Sequence, residues 1–147
     1  AGLLALGWPP LVIKGETVEP GERRDIGLRL TESFAGAALD TPVTVVHGIR
    51  PGPTVCLTGG IHGDEINGME TVRRVLERVD PAALRGTVIG APIVNLHGFQ
   101  RGIRYLPDRR DLNRFFPGNP FGSSASRIAN LLFQYVIVTC DALVDFH

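Results

Sequence analysis

The chain has 147 residues, 44% of them hydrophobic and 20% charged, with 15 basic and 15 acidic side chains and a formal net charge of zero. That length fits one domain around a single core, and the balanced charge offers no electrostatic case for nucleic acid or an anionic membrane surface. No apolar run approaches the roughly 18–20 residues of a membrane span.

The opening Ala1-Gly2-Leu3-Leu4-Ala5-Leu6 is a short apolar stretch with no basic leader, and Trp8-Pro9-Pro10 follows at once. It reads poorly as a signal peptide, and the lack of an initiating Met makes the start look trimmed or processed. Residues 1–41 are rich in Gly and Pro and are read as a small N-terminal β extension, in which Ile26, Leu28 and Leu30 alternate as in a half-exposed strand.

From residue 42 the texture changes. Val43-Thr44-Val45-Val46 is a β-branched run, and residues 48–53, ending in Pro51-Gly52-Pro53, predict a turn. Thr54-Val55-Cys56-Leu57-Thr58 reads as a buried strand closed by Gly59-Gly60. Ile66, Met69, Val72, Val75, Leu76 and Val79 recur at helical spacing until Pro81. Residues 87–94 form a second buried run, where Pro92 predicts a bulge or an unpaired edge. Residues 95–122 lack hydrophobic periodicity and carry six Arg and Asp residues between Arg104 and Arg114. So long a loop in a compact domain is usually functional or disordered.

Ser123, Ser124 and Ser126 are N-cap candidates for a last helix with Ile128, Leu131, Leu132, Tyr135 and Val136 on its apolar face. Ala142-Leu143-Val144-Asp145-Phe146 is a final strand. This order predicts an α/β fold: a mixed, largely parallel sheet flanked by helices over residues 42–147. Cys56 and Cys140 sit in apolar segments without metal-type spacing and are expected to be buried, reduced thiols, as in a cytoplasmic protein. His47 reads as a plain surface or turn histidine and His97 as structural. Trp8, Phe115, Phe116 and Phe121 show no base-stacking pattern and read as loop anchors.

Three pieces can carry chemistry. His62-Gly63-Asp64-Glu65 follows a strand and precedes a helix, so His62 and Glu65 can point at one spot. Alone, such a pair arises often by chance. The loop from Arg104 to Arg114 offers guanidinium forks for carboxylates, yet it equally suits solvated surface pairs worth about 0–1 kcal/mol each. Asp145 and His147 share a strand face, although a histidine on an ordinary strand is commonly a bystander. A parallel arrangement would bring all three pieces to one edge of the sheet, and two imidazoles with one carboxylate are a ligand set of catalytic zinc.

Taken in order, His-x-x-Glu, Arg-Tyr, Asp-Leu-Asn-Arg-Phe-Phe-Pro-Gly and Asp-x-His are similar to the pattern of the succinylglutamate desuccinylase and aspartoacylase family, relatives of the zinc carboxypeptidases. The resemblance covers roughly residues 42–147, with a looser match of the opening residues to a β extension. It implies Zn2+ held by His62, Glu65 and His147, with Asp111 orienting the His62 ring. It further implies that Arg104 polarises the scissile carbonyl and that Asn113 and Arg114 clamp the substrate carboxylate.

The implied activity is hydrolysis of the amide bond of an N-acyl amino acid, a small-molecule substrate, with no nucleic acid or membrane partner. Family members place a general-base glutamate well downstream of the third ligand, and Asp64 and Glu70 do not match it. The chain is therefore expected to be an apparently truncated, amino-terminal part of a hydrolase, inactive alone and prone to homo-oligomer formation through an unpaired strand edge. A non-catalytic metal- or carboxylate-binding fragment and a metallocarboxypeptidase acting on peptide C-termini are the alternatives.

Overall fold

The computed structural model describes residues 7–32 and 38–147; the apolar opening stretch, residues 1–6, lies outside them. A two-stranded ribbon, β1 (Leu11–Ile13) and β2 (Glu16–Val18), precedes the long strands β3 (Glu22–Glu32) and β4 (Ala38–His47). Then come β5 (Arg50–Thr58), α1 (Ile66–Arg78), β6 (Arg85–Ala91), α2 (Leu96–Arg101), a 3-10 turn at Leu112–Arg114, α3 (Ser124–Tyr135) and β7 (Ala142–Asp145).

Five strands form one mixed sheet in the order β3-β4-β6-β5-β7. β6, β5 and β7 run parallel, while β3 and β4 complete the other side by antiparallel pairing. The expected boundary between residues 41 and 42 falls inside β4, whose β-branched run Val43–Val46 supplies core to both faces. Side chains alternate across a strand. Thus Val45 and Cys56 join Ile128 and Leu132 of α3 on one face, while Val46 and Leu57 meet Val72 and Leu76 of α1 on the other. The Arg23 guanidinium on β3 donates to the carbonyls of Leu76 and Val79 (2.5 and 2.6 Å), satisfying the open C-terminal end of α1.

Several local expectations change. Pro51-Gly52-Pro53 does not turn the chain: it lies in the irregular start of β5, where the register against β6 shifts between Arg50 and Thr54. β6 stops at Ala91, just before Pro92, whose missing N–H cannot continue the ladder. The segment 95–122 holds α2 and a 3-10 turn. Helix α2 is too short to show a period, but it carries an Asn95 N-cap and a left-handed Gly102 at its end. His47 is buried, not a surface residue: its ring lies 2.8 Å from Thr87 Oγ1 and 3.0 Å from the Pro9 carbonyl, stacked on Trp8. Trp8 anchors its segment through Nε1–H to the Gly48 carbonyl (2.9 Å), whereas Phe121 is 94% exposed and anchors nothing.

The cysteines also depart from expectation. Cys56 on β5 and Cys140, just before β7, are joined in a disulfide with a Cα–Cα distance of 5.8 Å, because the parallel pairing of β5 and β7 sets the two segments side by side. The bond removes the argument for a reducing compartment that free thiols supplied. Among the described residues, no helix is long and apolar enough to cross a membrane.

A cross-link spanning 84 residues constrains the unfolded chain by about 4.5 kcal/mol on the loop-entropy scale. Cys140→Ser is expected to lower the urea midpoint of the oxidised protein to that of the reduced one. Coincident unfolding curves for oxidised and reduced protein would contradict the bond.

Candidate metal centre

The site is built at the carboxyl ends of β5 and β7. After Thr58 the chain turns through Gly59-Gly60, with Gly60 at φ +62°, and delivers His62 to the floor of the site at 1% exposure. Glu65 occupies the N-cap position of α1 without spending its side chain on the cap, so its carboxylate is free to face His62. The ladder of β5 with β7 reaches Thr58↔Asp145 and continues as Phe146 N–H to the Thr58 carbonyl (2.8 Å) and Ile61 N–H to the His147 carbonyl (3.1 Å). Two backbone bonds therefore hold the segment of His147 beside that of His62.

These placements bring His62, Glu65 and His147 together. One potential ligand atom from each lies within 4.8 Å of the other two, and the two imidazole rings meet edge to face with centroids 4.5 Å apart. His62 Nδ1 is 3.0 Å from Glu65 Oε1, and its Nε2 is 2.9 Å from Asp111 Oδ1. A neutral imidazole carries only one N–H. Carboxylate oxygens against both ring nitrogens thus require a second proton or a cation on one side. On the Glu65 side His147 also arrives, and two nitrogens with one carboxylate oxygen are the donor chemistry that zinc accepts.

Each histidine has its own carboxylate. The hydrogen bond from His62 holds the Asp111 carboxyl below its usual range; burial opposes this, while the Asn113 N–H and the charge of Arg104 reinforce it. Asp111 also caps the 3-10 turn by accepting from Asn113 N–H at 3.2 Å. On the other side, Asp145 Oδ2 lies 3.0 Å from His147 Nδ1, while Oδ1 accepts from the Thr58 hydroxyl (2.9 Å) and His147 N–H (3.0 Å).

Arg104 reaches in from the loop after α2 and donates from Nη1 to Glu65 Oε1 at 3.0 Å, with part of its side chain open to solvent. Asn113 and Arg114 lie on the 3-10 turn with exposed side chains; the Arg114 guanidinium approaches Asp111 at 3.6 Å. They are next to the site through Asp111, and neither touches His62, Glu65 or His147 through a hydrogen bond or ion pair. His97 is turned to Arg101 on α2. Glu70 pairs with Arg73 and Arg74 on the exposed face of α1, which lowers its pKa to about 2.

Two participants escape a reading of motifs alone. Thr58 ends a buried strand and carries no polar pattern, so only the sheet register reveals its bond to Asp145. Asn95 is buried and bonded to three segments; its sequence signal is that of a helix cap, an Asn just ahead of α2 with Gly102 at the far end.

Residues 51–147 match the Succinylglutamate desuccinylase/Aspartoacylase catalytic domain. The N-alpha-acetyl-L-2,4-diaminobutyric acid deacetylase of Halomonas elongata is 38% identical over 117 residues, which is 79% of this chain and 34% of that protein. The crystal structure of a succinylglutamate desuccinylase/aspartoacylase from Rhodobacter sphaeroides superposes with a TM-score of 0.78 at 36% identity, covering 84% of this chain and 38% of the other. The product-bound ectoine utilization protein EutE (DoeB) of Ruegeria pomeroyi gives a TM-score of 0.78 at 30% identity over 94% of this chain and 42% of its own. The chain thus spans between a third and a half of the length of these relatives, and it shares their zinc carboxypeptidase-like α/β fold. It belongs to the succinylglutamate desuccinylase/aspartoacylase family.

Proposed function

We propose that the chain carries the metal-holding and substrate-orienting part of a zinc-dependent deacylase that hydrolyses the amide bond of N-acyl amino acids. The observation that carries this reading is the convergence of His62, Glu65 and His147 within 4.8 Å, with Arg104 against the same carboxylate. The deacetylase relative from Halomonas elongata supports an acetylated diamino acid as the first substrate to test.

His62, Glu65 and His147 would hold the ion. When bound, Zn2+ supplies Lewis acidity, acidifying water and polarising an amide carbonyl. The remaining work belongs to the protein. Asp111 accepts from His62 Nε2 and so leaves Nδ1 as the lone-pair nitrogen on the Glu65 side. Arg104, already beside Glu65, offers guanidinium donors to the oxygen that gains negative charge as the amide carbon becomes tetrahedral. Arg114, with 81% of its side chain exposed, is free to pair with a substrate carboxylate through a planar fork. The neighbouring amide of Asn113 adds further donors.

Metal analysis tests the first half. The wild-type chain is expected to retain one equivalent of zinc after gel filtration. His62→Ala and Glu65→Ala lose it, and Asp111→Asn weakens binding by roughly 10- to 100-fold. Equal zinc content in all four proteins would end the assignment of ligands.

Substrate analysis tests the second. In a longer form of the protein that supplies the family's downstream glutamate, acetate release from an Nα-acetylated diamino acid is expected to stop on chelation and return with zinc, whereas residues 1–147 alone are expected to release none. Arg114→Ala should raise KM by roughly 10-fold or more, in line with loss of a charged hydrogen bond of about 1.5–3 kcal/mol. Chelation-sensitive cleavage of peptide C-termini with no action on N-acetyl amino acids would instead favour a carboxypeptidase.

A further inference from the structure

We infer that Asn95 is a positioning residue for Arg104, fixing the arginine from its backbone so that its guanidinium stays available to substrate. The inference rests on the proposed role of Arg104 at the scissile carbonyl.

Asn95 is 1% exposed and lies where β6 gives way to α2. Its backbone N–H donates to the Gly60 carbonyl (2.7 Å), on the loop that delivers His62. Its Oδ1 accepts from Gly98 N–H (2.8 Å), capping α2, and its Nδ2 donates to the Arg104 carbonyl (3.3 Å). A cap alone needs only an acceptor, which Ser, Thr or Asp supplies equally well. The amide is the side chain that offers both an acceptor and a donor here, and the donor is spent on Arg104.

The Arg104 carbonyl is held twice, since Gly63 N–H also donates to it at 3.3 Å. The segments come this close because Gly63 and Gly98 carry no side chains. A Cβ on Gly63 would fall 2.1 Å from the Gly98 carbonyl carbon, and one on Gly98 would fall 2.7 Å from both Asn95 Nδ2 and the Ile103 carbonyl oxygen. Ile103 N–H in turn donates to the Gly98 carbonyl (2.9 Å). Residues 103–104 are thereby locked to the His62 loop and to the start of α2, with Asn95 bonded to both.

This arrangement answers a specific requirement. A guanidinium that must meet substrate cannot be fixed by lasting side-chain bonds, and its ion pair with Glu65 competes with any cation on that carboxylate. Its reach must then be set at the backbone. Misplacement of a catalytic group by about 1 Å can cost on the order of 100-fold in rate.

Asn95→Asp keeps the shape and the cap acceptor and replaces the donor with an oxygen facing the Arg104 carbonyl. Asn95→Ser keeps the cap and lacks the donor, and guards against a misfolded first variant. In the zinc-loaded longer form that supplies the downstream glutamate, kcat for the acetylated diamino acid should fall by roughly 10- to 100-fold in either variant. KM and zinc affinity should stay within about threefold, since both variants keep the backbone bond from residue 95 to Gly60 on the His62 loop. Adding Arg104→Ala should lower kcat no further than Arg104→Ala alone.

A second readout needs no turnover: the 15Nε resonance of Arg104 should be sharp in the wild type and broadened or shifted in both variants, with the His62 ring signals unchanged. Zinc affinity falling in step with kcat, rate losses that multiply in the double variant, or an unmoved Arg104 resonance would each overturn the inference. If the longer wild-type form shows no chelation-sensitive deacylation, the proposed function fails, and the resonance still decides whether Asn95 holds Arg104.

Discussion

The parallel pairing of β5 with β7 is the constraint on which the site depends. Its register, ending at Thr58↔Asp145, places the residues after each strand side by side and sets His147 against His62 across two backbone hydrogen bonds. A strand slipped by one residue turns every side chain to the opposite face. Such a slip would send Asp145 away from Thr58 and the His147 ring away from Glu65. The Cys56–Cys140 bond lies at the entry to the same pairing, so the two strands are joined covalently at one end and by the convergent side chains at the other.

Charge arrangement follows from that register. His62 and His147 each have a dedicated carboxylate, Asp111 and Asp145, and share a third, Glu65. Three carboxylates gathered around two imidazoles favour positive charge beside them. Arg104 supplies part of it from the rim, and a cation between the imidazoles and Glu65 would supply the rest. The arrangement also divides labour: the carboxylates fix ring orientation, while the guanidinium groups of Arg104 and Arg114 keep solvent-facing donors.

Much of this was legible in the sequence because the relevant signals are local. The spacing of His62 and Glu65 at a strand-to-helix turn, the helical period from Ile66 to Val79 and the serine cap before α3 each act within a few residues. Pro92 marked the end of β6, although as a strand terminus and not a bulge. What escaped depends on contacts between distant segments. His47 looks like a turn residue until Thr87, Pro9 and Trp8 close around it. Cys56 and Cys140 look like independent apolar thiols until sheet order makes them neighbours. Asn95 carries a cap signal, but its second bond, to Arg104, exists only because Gly63 and Gly98 let two loops touch. The Asp111 and Arg114 motif was conspicuous; that Asn113 and Arg114 stand off from His62, Glu65 and His147 was visible only in three dimensions.

Zinc K-edge X-ray absorption of the loaded chain tests the central claim most directly, because it reads the atoms around the ion. The account predicts two imidazole nitrogens at about 2.0–2.1 Å and carboxylate oxygen at about 2.0–2.2 Å. A shell of sulfur, or of oxygen with no imidazole scattering, would contradict it.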